Sequence, residues 1–501
     1  NYAEAQRLQE WDIWGRKYCM LGLLAYHDLA KDEQSLKAAR RVADHLISEL
    51  AEKKAKIAFQ GNHRGMAASS VLEPVSLLYA RTKDKKYLAF AEEIVRQWEL
   101  PDGPQLLSKA INNVDVAKRF PKPKNWWSYE QGQKAYEMMS CYEGLLELYR
   151  VTGKPQYRAA VENVWENIWA NEINVVGSGS SVECWFGGKA SQTLPTKHYQ
   201  ETCVTVTWIK LSQQLLRLTG EAKYADAVEN AFYNALLGAM KPDGSTWAKY
   251  SPLAGVRQGG EEQCGMGMNC CEASGPRGLF TWPLTVAMQE EAGIRVNFFT
   301  EGTYRLQTPG GRTAEVIQQT EYPVSGKITI KLLLSKAEPM TVRVRIPAWS
   351  GRHELSVNGQ PAETAEAGQY AELTRQWQSD DEIVLMLDMR GRVLHSGDNH
   401  IAIQRGPLVL ARDSRLGQPD VDETISPVTD EDGFLLLDSV AETRNRSWAT
   451  FKAPFVVGSY REGEAGKPVA LFLCDYASAG NAWDGKNRFR IWFQQLLDPE
   501  R

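Results

Sequence analysis

The period of the hydrophobic pattern changes near residue 293, and this change limits the fold more than any other feature of the sequence. Up to about Met288, apolar residues recur at helical spacing. Within this stretch a diverged unit repeats, in which a threonine precedes a tyrosine by five residues. Its copies are Thr82 and Tyr87, Thr152 and Tyr157, Thr219 and Tyr224, with a weaker copy between Leu29 and Leu36. Each unit predicts an apolar helix, a short turn and a second, amphipathic helix.

Helical hairpins that repeat in this way can be arranged in two ways. They stack into an open solenoid or close into a ring, and the repeat spacing alone does not choose between the two. Long and irregular segments separate the repeats of this chain, whereas a solenoid is more regular. We therefore predict a closed helical barrel that carries its chemistry at one rim.

From about Gly293 onwards, apolar and polar residues alternate between turns rich in Gly, Pro and Asn. The clearest predicted strands are 294–299, 327–332 and 341–346. A chain of 501 residues is too long for one hydrophobic core, so several domains are expected. We predict a helical barrel over residues 1–290, a β-sandwich over 291–415 and a second small β region over 416–501.

The net charge limits the classes of partner that the protein is expected to bind. A formal net charge of -4 gives no basic surface for nucleic acid, so a small or neutral partner such as an oligosaccharide is expected. No apolar run approaches the roughly 18 residues that span a bilayer, which predicts no membrane span. Because the chain begins at Asn1, we expect an incomplete N-terminus. The sequence does not decide between a periplasmic and a cytoplasmic location, and a homodimer is possible.

The cysteines indicate a metal site. Eight cysteines are spread through the chain, a distribution that argues against a disulfide framework. Cys270 and Cys271 are adjacent, and the triplet Glu201-Thr202-Cys203 lies upstream of them. Three thiols and one carboxylate are a suitable tetrahedral ligand set for Zn²⁺. Cys264, six residues before Cys270, is a rival ligand, and a packed or free thiol is the simpler interpretation of it.

Several motifs together resemble a known family. They are Glu201-Thr202-Cys203, Cys270-Cys271, Gly275-Pro276-Arg277-Gly278 and Gln404-Arg405-Gly406-Pro407. In this order along nearly the whole chain they resemble the β-L-arabinofuranosidases of glycoside hydrolase family 127 and its relatives. The resemblance implies a multidomain fold, an all-α (α/α)6 barrel followed by a C-terminal β-sandwich region.

The resemblance also implies roles for individual residues. It implies a Zn²⁺ ion held by Glu201, Cys203, Cys270 and Cys271, with Cys270 also acting as the catalytic nucleophile. A glutamate upstream of the Glu-Thr-Cys triplet acts as general acid and base in the family, and Glu183 is the best positional match. A cysteine can serve as nucleophile only as a thiolate, which a bound cation favours.

The sugar pocket departs from the family pattern. Where the family carries Gly-His at the start of two barrel helices, this chain has Lys17-Tyr18 and Lys134-Ala135-Tyr136. We therefore expect Tyr18 and Tyr136 to contact substrate, and an acidic sugar becomes an alternative to arabinofuranose. Trp185, beside Glu183, is a candidate stacking wall. His198, near the Glu-Thr-Cys triplet, is a candidate for orienting a substrate hydroxyl, against the simpler interpretation of an exposed loop histidine.

The predicted function is a zinc-dependent, retaining exo-glycoside hydrolase. It would release a terminal L-sugar, β-L-arabinofuranose or a related furanose such as an acidic branched pectic sugar, from plant-type glycans. Two alternatives remain. One is a helical-barrel glycosidase or lyase with two catalytic carboxylates that acts on uronic-acid glycans. The other is a non-catalytic carbohydrate-binding protein whose zinc is structural, because closed four-ligand sites are more often structural.

Overall fold

The computed structural model describes residues 10–125, 128–260, 267–417, 419–440, 447–458 and 466–495. By its internal contacts the chain divides into two compact units. The first comprises Asn1–Ile173 and Gly179–Ala190, and the second comprises Asn174–Ser178 and Ser191–Arg501. Within the described residues, no helix is long and apolar enough to cross a membrane.

Helices fill the first unit and the beginning of the second. The described helices are α1 (Glu10–Ala30), α2 (Glu33–Glu52), α3 (Met66–Ser69), α4 (Leu72–Thr82), α5 (Lys85–Trp98), α6 (Leu106–Ile111), α7 (Ala135–Thr152), α8 (Pro155–Asn171), α9 (Thr202–Thr219), α10 (Ala222–Asn230), α11 (Leu237–Ala239) and α12 (Cys270–Thr281). A π-helical turn, Ala231–Leu236, joins α10 to α11.

The repeated Thr-Tyr unit is a helical hairpin, as predicted. In the copy between α7 and α8, the Thr152 hydroxyl donates a hydrogen bond of 2.7 Å to the Leu148 carbonyl. Gly153 ends α7 with φ +69°, a left-handed conformation that glycine adopts without strain. Tyr157 is then buried in α8. The same threonine bond and buried tyrosine recur between α4 and α5 and between α9 and α10.

Strands fill the rest of the second unit. The described strands are β1 (Ala254–Gly255), β2 (Ala287–Glu290), β3 (Gly293–Val296), β4 (Gly302–Gln307), β5 (Thr313–Thr320), β6 (Lys327–Leu334), β7 (Glu338–Ile346), β8 (His353–Val357), β9 (Gln360–Pro361), β10 (Gln369–Trp377), β11 (Glu382–Leu387), β12 (Gly391–His395), β13 (His400–Arg405), β14 (Leu408–Asp413), β15 (Ile425–Pro427), β16 (Phe434–Leu435), β17 (Asp438–Ser439), β18 (Thr450–Val457), β19 (Val469–Asp475), β20 (Phe489–Arg490) and β21 (Phe493–Gln494). The order of helices followed by β-sheets confirms the predicted fold class, and closure into an (α/α)6 barrel stays a prediction.

Two sheets lie between residues 287 and 387. One has the strand order β10-β7-β3-β2, and the other has the order β4-β5-β6-β11-β8-β9. All of their strand pairs are antiparallel except β3 with β7, which is parallel. Strands such as β6 alternate between buried and less buried residues, so one face of the sheet is buried, as the period-two pattern predicted.

A third sheet takes most of its strands from residues 391–494, includes β1 through its pairing with β20, and is built around the order β15-β18-β19-β14-β13-β12-β16. It contains strands from both sides of residue 415, so the boundary that we expected there falls within one sheet. The cause is long-range pairing, since Leu410 of β14 lies opposite Asp475 of β19. Local sequence patterns carry no information on such partners.

The Gly-Pro motif of the sequence joins this sheet to a helical segment of the same unit. Gly406 turns the chain between β13 and β14 with φ +57°. The side chain of Asn234, in the π-helical turn, donates a hydrogen bond of 2.9 Å to the Pro407 carbonyl and accepts one of 2.8 Å from the Val409 N–H. One buried amide thus pairs two backbone groups that the turn leaves free.

Candidate active site

Helices α9 and α12 begin at the candidate metal centre, which is the cluster of Glu201, Cys203, Cys270 and Cys271. Glu201 precedes α9 as its N-cap and Cys203 is its second residue. Cys270 and Cys271 are the first two residues of α12. The Asn269 side chain caps α12 by accepting a hydrogen bond of 2.9 Å from the Cys271 N–H. Two helix N-termini, each with partial positive charge, thus meet at the four side chains.

The distances within the cluster match a tetrahedral ion. Sulfur–sulfur distances are 3.4 Å from Cys203 to Cys270, 3.6 Å from Cys203 to Cys271 and 4.0 Å from Cys270 to Cys271. Glu201 Oε1 lies 3.5 and 3.8 Å from the sulfurs of Cys270 and Cys271. With Zn–S bonds of about 2.3 Å and a Zn–O bond of about 2.0 Å, tetrahedral geometry gives about 3.8 Å between sulfurs and about 3.5 Å from sulfur to oxygen. The residues present therefore fit a metal ion of this size.

The electrostatics of the cluster also favour a cation. The hydrogen bond between Cys203 and Cys270 is the largest contribution that raises the pKa of the Cys203 thiol well above its ordinary value. Burial raises the pKa of the Cys271 thiol in the same direction. Buried sulfurs in these surroundings are therefore thiols unless a cation stabilises the thiolate form. A metal ion held by the four side chains would supply that cation.

Close packing fixes the position of α12. At Gly275, a Cβ atom would overlap the indole ring of Trp247, three of whose atoms lie 2.5 Å or less from its position. At Gly278, a Cβ atom would lie 2.9 Å from Val206 of α9. The absence of side chains at these two positions lets α12 approach both neighbours. The predicted motif Gly-Pro-Arg-Gly thus serves the placement of the two cysteines.

The four side chains of the cluster differ in exposure. Glu201 is 2% exposed, and Cys203 and Cys271 are fully buried. Cys270, in contrast, is exposed. One sulfur of the cluster is therefore accessible to a ligand from solution, while the other three side chains are closed off.

His198 lies on the segment that leads into α9. Its imidazole stacks on the ring of Tyr250, with ring centroids 4.6 Å apart and an interplanar angle of 11°. Tyr250 is in turn bridged to Glu201 by backbone pairing. His198 and Gln200 both adopt positive φ, +48° and +57°. Such backbone strain is concentrated at functional sites, so His198 keeps its candidacy for substrate contact.

Glu183, in the first unit, is paired with a lysine. Its carboxylate forms a buried ion pair with the Lys134 ammonium, with Glu183 6% and Lys134 2% exposed. The Ala135 N–H donates a hydrogen bond of 2.9 Å to the Glu183 carbonyl, which fixes the loop to the start of α7. Burial, followed by the charge of Lys134, lowers the pKa of the nearby His63 to about 3, so that imidazole is neutral at pH 7.

The backbone around Glu183 is strained. Ser180, Val182 and Glu183 have positive φ values of +79°, +49° and +66°. For a β-branched residue such as Val182 this conformation is unusual and is maintained only by its surroundings. An observed strain of this kind supports a functional role for the loop.

Glu172 organises the residues that follow Glu183. Its buried carboxylate accepts hydrogen bonds from the N–H groups of Phe186, Gly187 and Gly188 at 3.1, 2.8 and 3.4 Å. Burial raises the pKa of this carboxyl to about 7, against the effect of the three hydrogen bonds. Glu172 therefore clamps the loop and titrates near neutrality.

The two predicted tyrosines meet, although 118 residues separate them in sequence. The hydroxyls of Tyr18 and Tyr136 form a hydrogen bond. Trp14 packs edge-on against both rings, with centroids 5.4 and 5.0 Å away. The fully buried Lys17 ammonium lies 4.8 Å from the centroid of Trp14 and 3.9 Å from a Glu73 oxygen. A partly exposed aromatic surface backed by a buried cation is suited to a sugar ring.

Trp185 differs from its prediction in exposure. Its side chain is 1% exposed, so it has no free face for a sugar and packs in the interior. The backbone N–H of Trp185 donates a hydrogen bond of 2.9 Å to the Gln133 carbonyl. This bond places Trp185 beside the Lys134–Glu183 pair. The rival ligand Cys264 lies outside the described residues.

Four residues that contribute to the site were not predicted from the sequence. Lys134 was singled out only as part of a departure from the family pattern, and nothing in the sequence indicated its pairing with Glu183, 49 residues away. Glu172 and Tyr250 carried no motif. Asn269 could have been recognised, because an asparagine immediately before a predicted helix is a strong N-cap signal.

The fold and the site together define a protein with helical hairpins, β-sheets and, at two helix N-termini, a group of four side chains that could hold a metal ion. Residues 2–282 match the model of the β-L-arabinofuranosidase GH127 catalytic domain, and residues 293–389 match that of the GH127 middle domain. The chain belongs to glycoside hydrolase family 127.

Individual relatives agree with this assignment. The chain is 24% identical over 419 residues to the non-reducing end β-L-arabinofuranosidase of Bifidobacterium longum subsp. longum, a match that covers 77% of this chain and 62% of that protein. A GH127 β-L-arabinofuranosidase from Geobacillus stearothermophilus T6 superposes with a TM-score of 0.73 at 19% identity, covering 97% of this chain and 80% of the other. A second GH127 β-arabinofuranosidase gives 0.74 at 20% identity, covering 97% and 76%. At these identities the structural matches establish the fold.

Proposed function

We propose that the protein is a zinc-dependent, retaining exo-glycoside hydrolase that uses Cys270 as its nucleophile. Its substrate is a plant-type glycan with a terminal L-sugar, β-L-arabinofuranose or a related furanose. The observation that carries the proposal is the difference in exposure within the cluster. A structural zinc site has no need of an accessible sulfur, whereas a nucleophile must reach the anomeric carbon.

Each part of the cluster then has a distinct task. Bound Zn²⁺ would supply the positive charge that keeps the cysteines deprotonated at neutral pH. Glu201, Cys203 and Cys271 would hold the ion with their buried side chains. Cys270 would be the fourth ligand and is also the exposed residue of the cluster, so its sulfur is the one available to attack the sugar.

The reaction proceeds in two displacements. In the first, the Cys270 sulfur forms a bond to the anomeric carbon, the glycosidic C–O bond breaks, and the leaving oxygen takes a proton through Glu183, a proton that the paired Lys134 ammonium supplies. In the second, water attacks the same carbon and passes a proton to Glu183, and the C–S bond breaks to return the thiolate. Two inversions at one carbon give net retention.

The acid and base role of Glu183 rests on the family resemblance and on the strained loop that holds it. Lys134 keeps the carboxylate in one position through the buried ion pair. Tyr18 and Tyr136 offer hydroxyls and ring faces for the terminal sugar, in place of the family's histidines. The β-L-arabinofuranose assignment follows from the relatives, which are β-L-arabinofuranosidases.

The test uses an aryl β-L-arabinofuranoside and the metal-loaded protein. We expect release of the sugar, with the β-anomer formed first by NMR, and loss of turnover on chelation. Cys270→Ser should lower turnover by roughly a thousandfold or more. Cys19→Ser, at an exposed cysteine of α1, is the matched control and should leave turnover unchanged.

The same assay separates the alternatives. Turnover that is insensitive to chelator and to Cys270→Ser would indicate a mechanism with two carboxylates. Binding of glycans without release of any sugar would indicate a carbohydrate-binding protein with a structural metal. Formation of the α-anomer first would contradict the retaining mechanism.

A further inference from the structure

Two adjoining cavities in the second unit have no part in the proposed reaction. They have volumes of about 420 and 410 Å³, within the size range of small-molecule sites. Both are lined by Thr196, Tyr199, Pro252 and Ala254. We refer to the two together as the side cavity.

One wall of the side cavity is continuous with the candidate metal centre. Lys249 and Tyr250 line the larger cavity. The Lys249 carbonyl lies 3.8 Å from the Cys271 sulfur and accepts a hydrogen bond of 3.0 Å from the Thr202 N–H at the start of α9. Tyr250 pairs with Glu201 through the backbone. A molecule that reached the cluster could therefore extend into the side cavity along one short segment of chain.

Aromatic faces line the end of the cavity that is near the metal centre. Tyr250 carries the imidazole of His198 stacked on its ring. The Lys249 ammonium lies 5.3 Å from the centroid of the same ring. Aromatic faces bind the apolar faces of sugar rings and leave the hydroxyls to polar groups. This end of the cavity therefore has the features of a sugar subsite.

The charged side chains of the lining are basic. Lys249, Arg488 and Arg490 line the side cavity, and no carboxylate does so among the residues that the structure describes. The two arginines form ion pairs with Asp422, which lies outside the lining, and Asp420 is 3.9 Å from Arg488. In a chain whose net charge is -4, a lining whose charged side chains are all basic favours an anion over a cation.

One further donor lies in the lining. Trp492 is 5% exposed, and its indole N–H makes no hydrogen bond to any described residue. A buried N–H group without an acceptor has an energetic cost, which an oxygen of a bound molecule removes.

We propose that the side cavity binds the leaving-group part of the substrate and selects a sugar that carries a carboxylate, a uronic acid residue. Lys249 and Arg490 contact the carboxylate, and the His198–Tyr250 stack supports the ring. The location on the leaving-group side rests on the proposed function, whereas selection of a uronate does not. The terminal sugar that is cut off can itself be neutral.

The test is calorimetric titration of the full-length protein with a linear tetramer of galacturonic acid. The carboxyl-reduced tetramer, a neutral galactose oligomer, is the matched ligand. We expect the acidic tetramer to bind at least about tenfold more tightly, with an affinity that falls as salt is raised, because partly exposed charges are screened. Equal affinity for the two tetramers, or no binding of the acidic one, overturns the proposal.

Two variants locate the binding site. Lys249→Gln and Arg490→Gln should each weaken binding of the acidic tetramer by about tenfold, the effect of one charge-assisted hydrogen bond. Arg305→Gln, on β4 and outside the lining, removes the same charge and should leave binding unchanged. Melting temperatures identify any variant that fails to fold. Unchanged binding in both folded cavity variants contradicts the assignment.

Failure of this proposal and failure of the proposed function look different. Turnover of an aryl L-furanoside without binding of the acidic tetramer would leave the hydrolase intact and refute the subsite. Binding of the acidic tetramer through Lys249 and Arg490, without turnover of any furanoside, would support the subsite and refute the hydrolase.

Discussion

Replacement of Gly275 by alanine tests how packing positions the metal ligands. The new Cβ would lie 2.5 Å or less from three ring atoms of Trp247, whereas carbon atoms in contact prefer about 3.5 to 4.0 Å. Either α12 or the indole therefore has to move by about 1 Å. Trp247 is 4% exposed and has little freedom, so we expect the helix and its first residues, Cys270 and Cys271, to shift.

The expected magnitudes follow from this shift. Overpacking of a buried contact costs about 1 to 3 kcal/mol, and alanine regains up to about 1 kcal/mol of helix propensity, so the free energy of unfolding should fall by about 1 to 2 kcal/mol. The effect on the metal is larger, because ligand atoms must lie within about 0.2 Å of their preferred distances. We expect Gly275→Ala to weaken zinc binding by at least about tenfold to a hundredfold.

Competition with a coloured chelator measures the zinc affinity, and urea denaturation measures stability. Gly22→Ala is the matched control, because a Cβ at Gly22 in α1 meets nothing within 4 Å. That variant should be more stable by about 0.5 to 1 kcal/mol and bind zinc normally. The reasoning would be refuted if Gly275→Ala bound zinc within twofold of the wild-type affinity and had the wild-type free energy of unfolding.

Three further predictions concern the first unit. Lys134→Met should lower the free energy of unfolding by about 3 to 5 kcal/mol, because it leaves the buried Glu183 carboxylate without a cation. Adding Glu183→Leu should restore part of this loss. An unchanged midpoint of urea denaturation in Lys134→Met would contradict the prediction. The pKa of Glu172, raised to about 7 by burial, implies that stability falls as pH rises from about 4.5 to 7, because the carboxyl then ionises in the unfolded chain but not in the folded one. In Glu172→Gln, the free energy of unfolding should fall by about 3 kcal/mol less than in wild type between pH 4.5 and 7.5, as measured by denaturation at each pH. The same pH dependence in both proteins would contradict the prediction. Gly153→Ala should cost about 1 kcal/mol through its positive φ alone, since a Cβ there meets nothing, and a thermal melt identical to wild type would show otherwise.

Short-range features of the fold were predictable from the sequence. The Thr-Tyr unit combines a threonine that bonds within its own helix, a turn and a tyrosine five residues on, so all of its determinants lie close together in the chain. Period-two alternation likewise indicated β6 and β7. In both cases the physical cause, burial of one face of one element, is local.

Long-range pairings were not predictable in the same way. The predicted domain boundary at residue 415 falls within one sheet, because Leu410 of β14 pairs with Asp475 of β19. For the candidate site, the grouping of Glu201, Cys203, Cys270 and Cys271 was predictable because each residue sits in a short motif. The partner of Glu183 and the burial of Trp185 depend on how distant segments pack, which single-residue patterns do not encode.

The central claim is that the exposed sulfur of the metal cluster is the nucleophile. Incubation of the metal-loaded protein with a mechanism-based β-L-arabinofuranosyl electrophile, followed by peptide mass spectrometry, tests it most directly. The account predicts one sugar per chain, attached to Cys270, with loss of turnover at the same rate. A label on Glu183 or another carboxylate, with Cys270 unmodified in the inactivated protein, would contradict it.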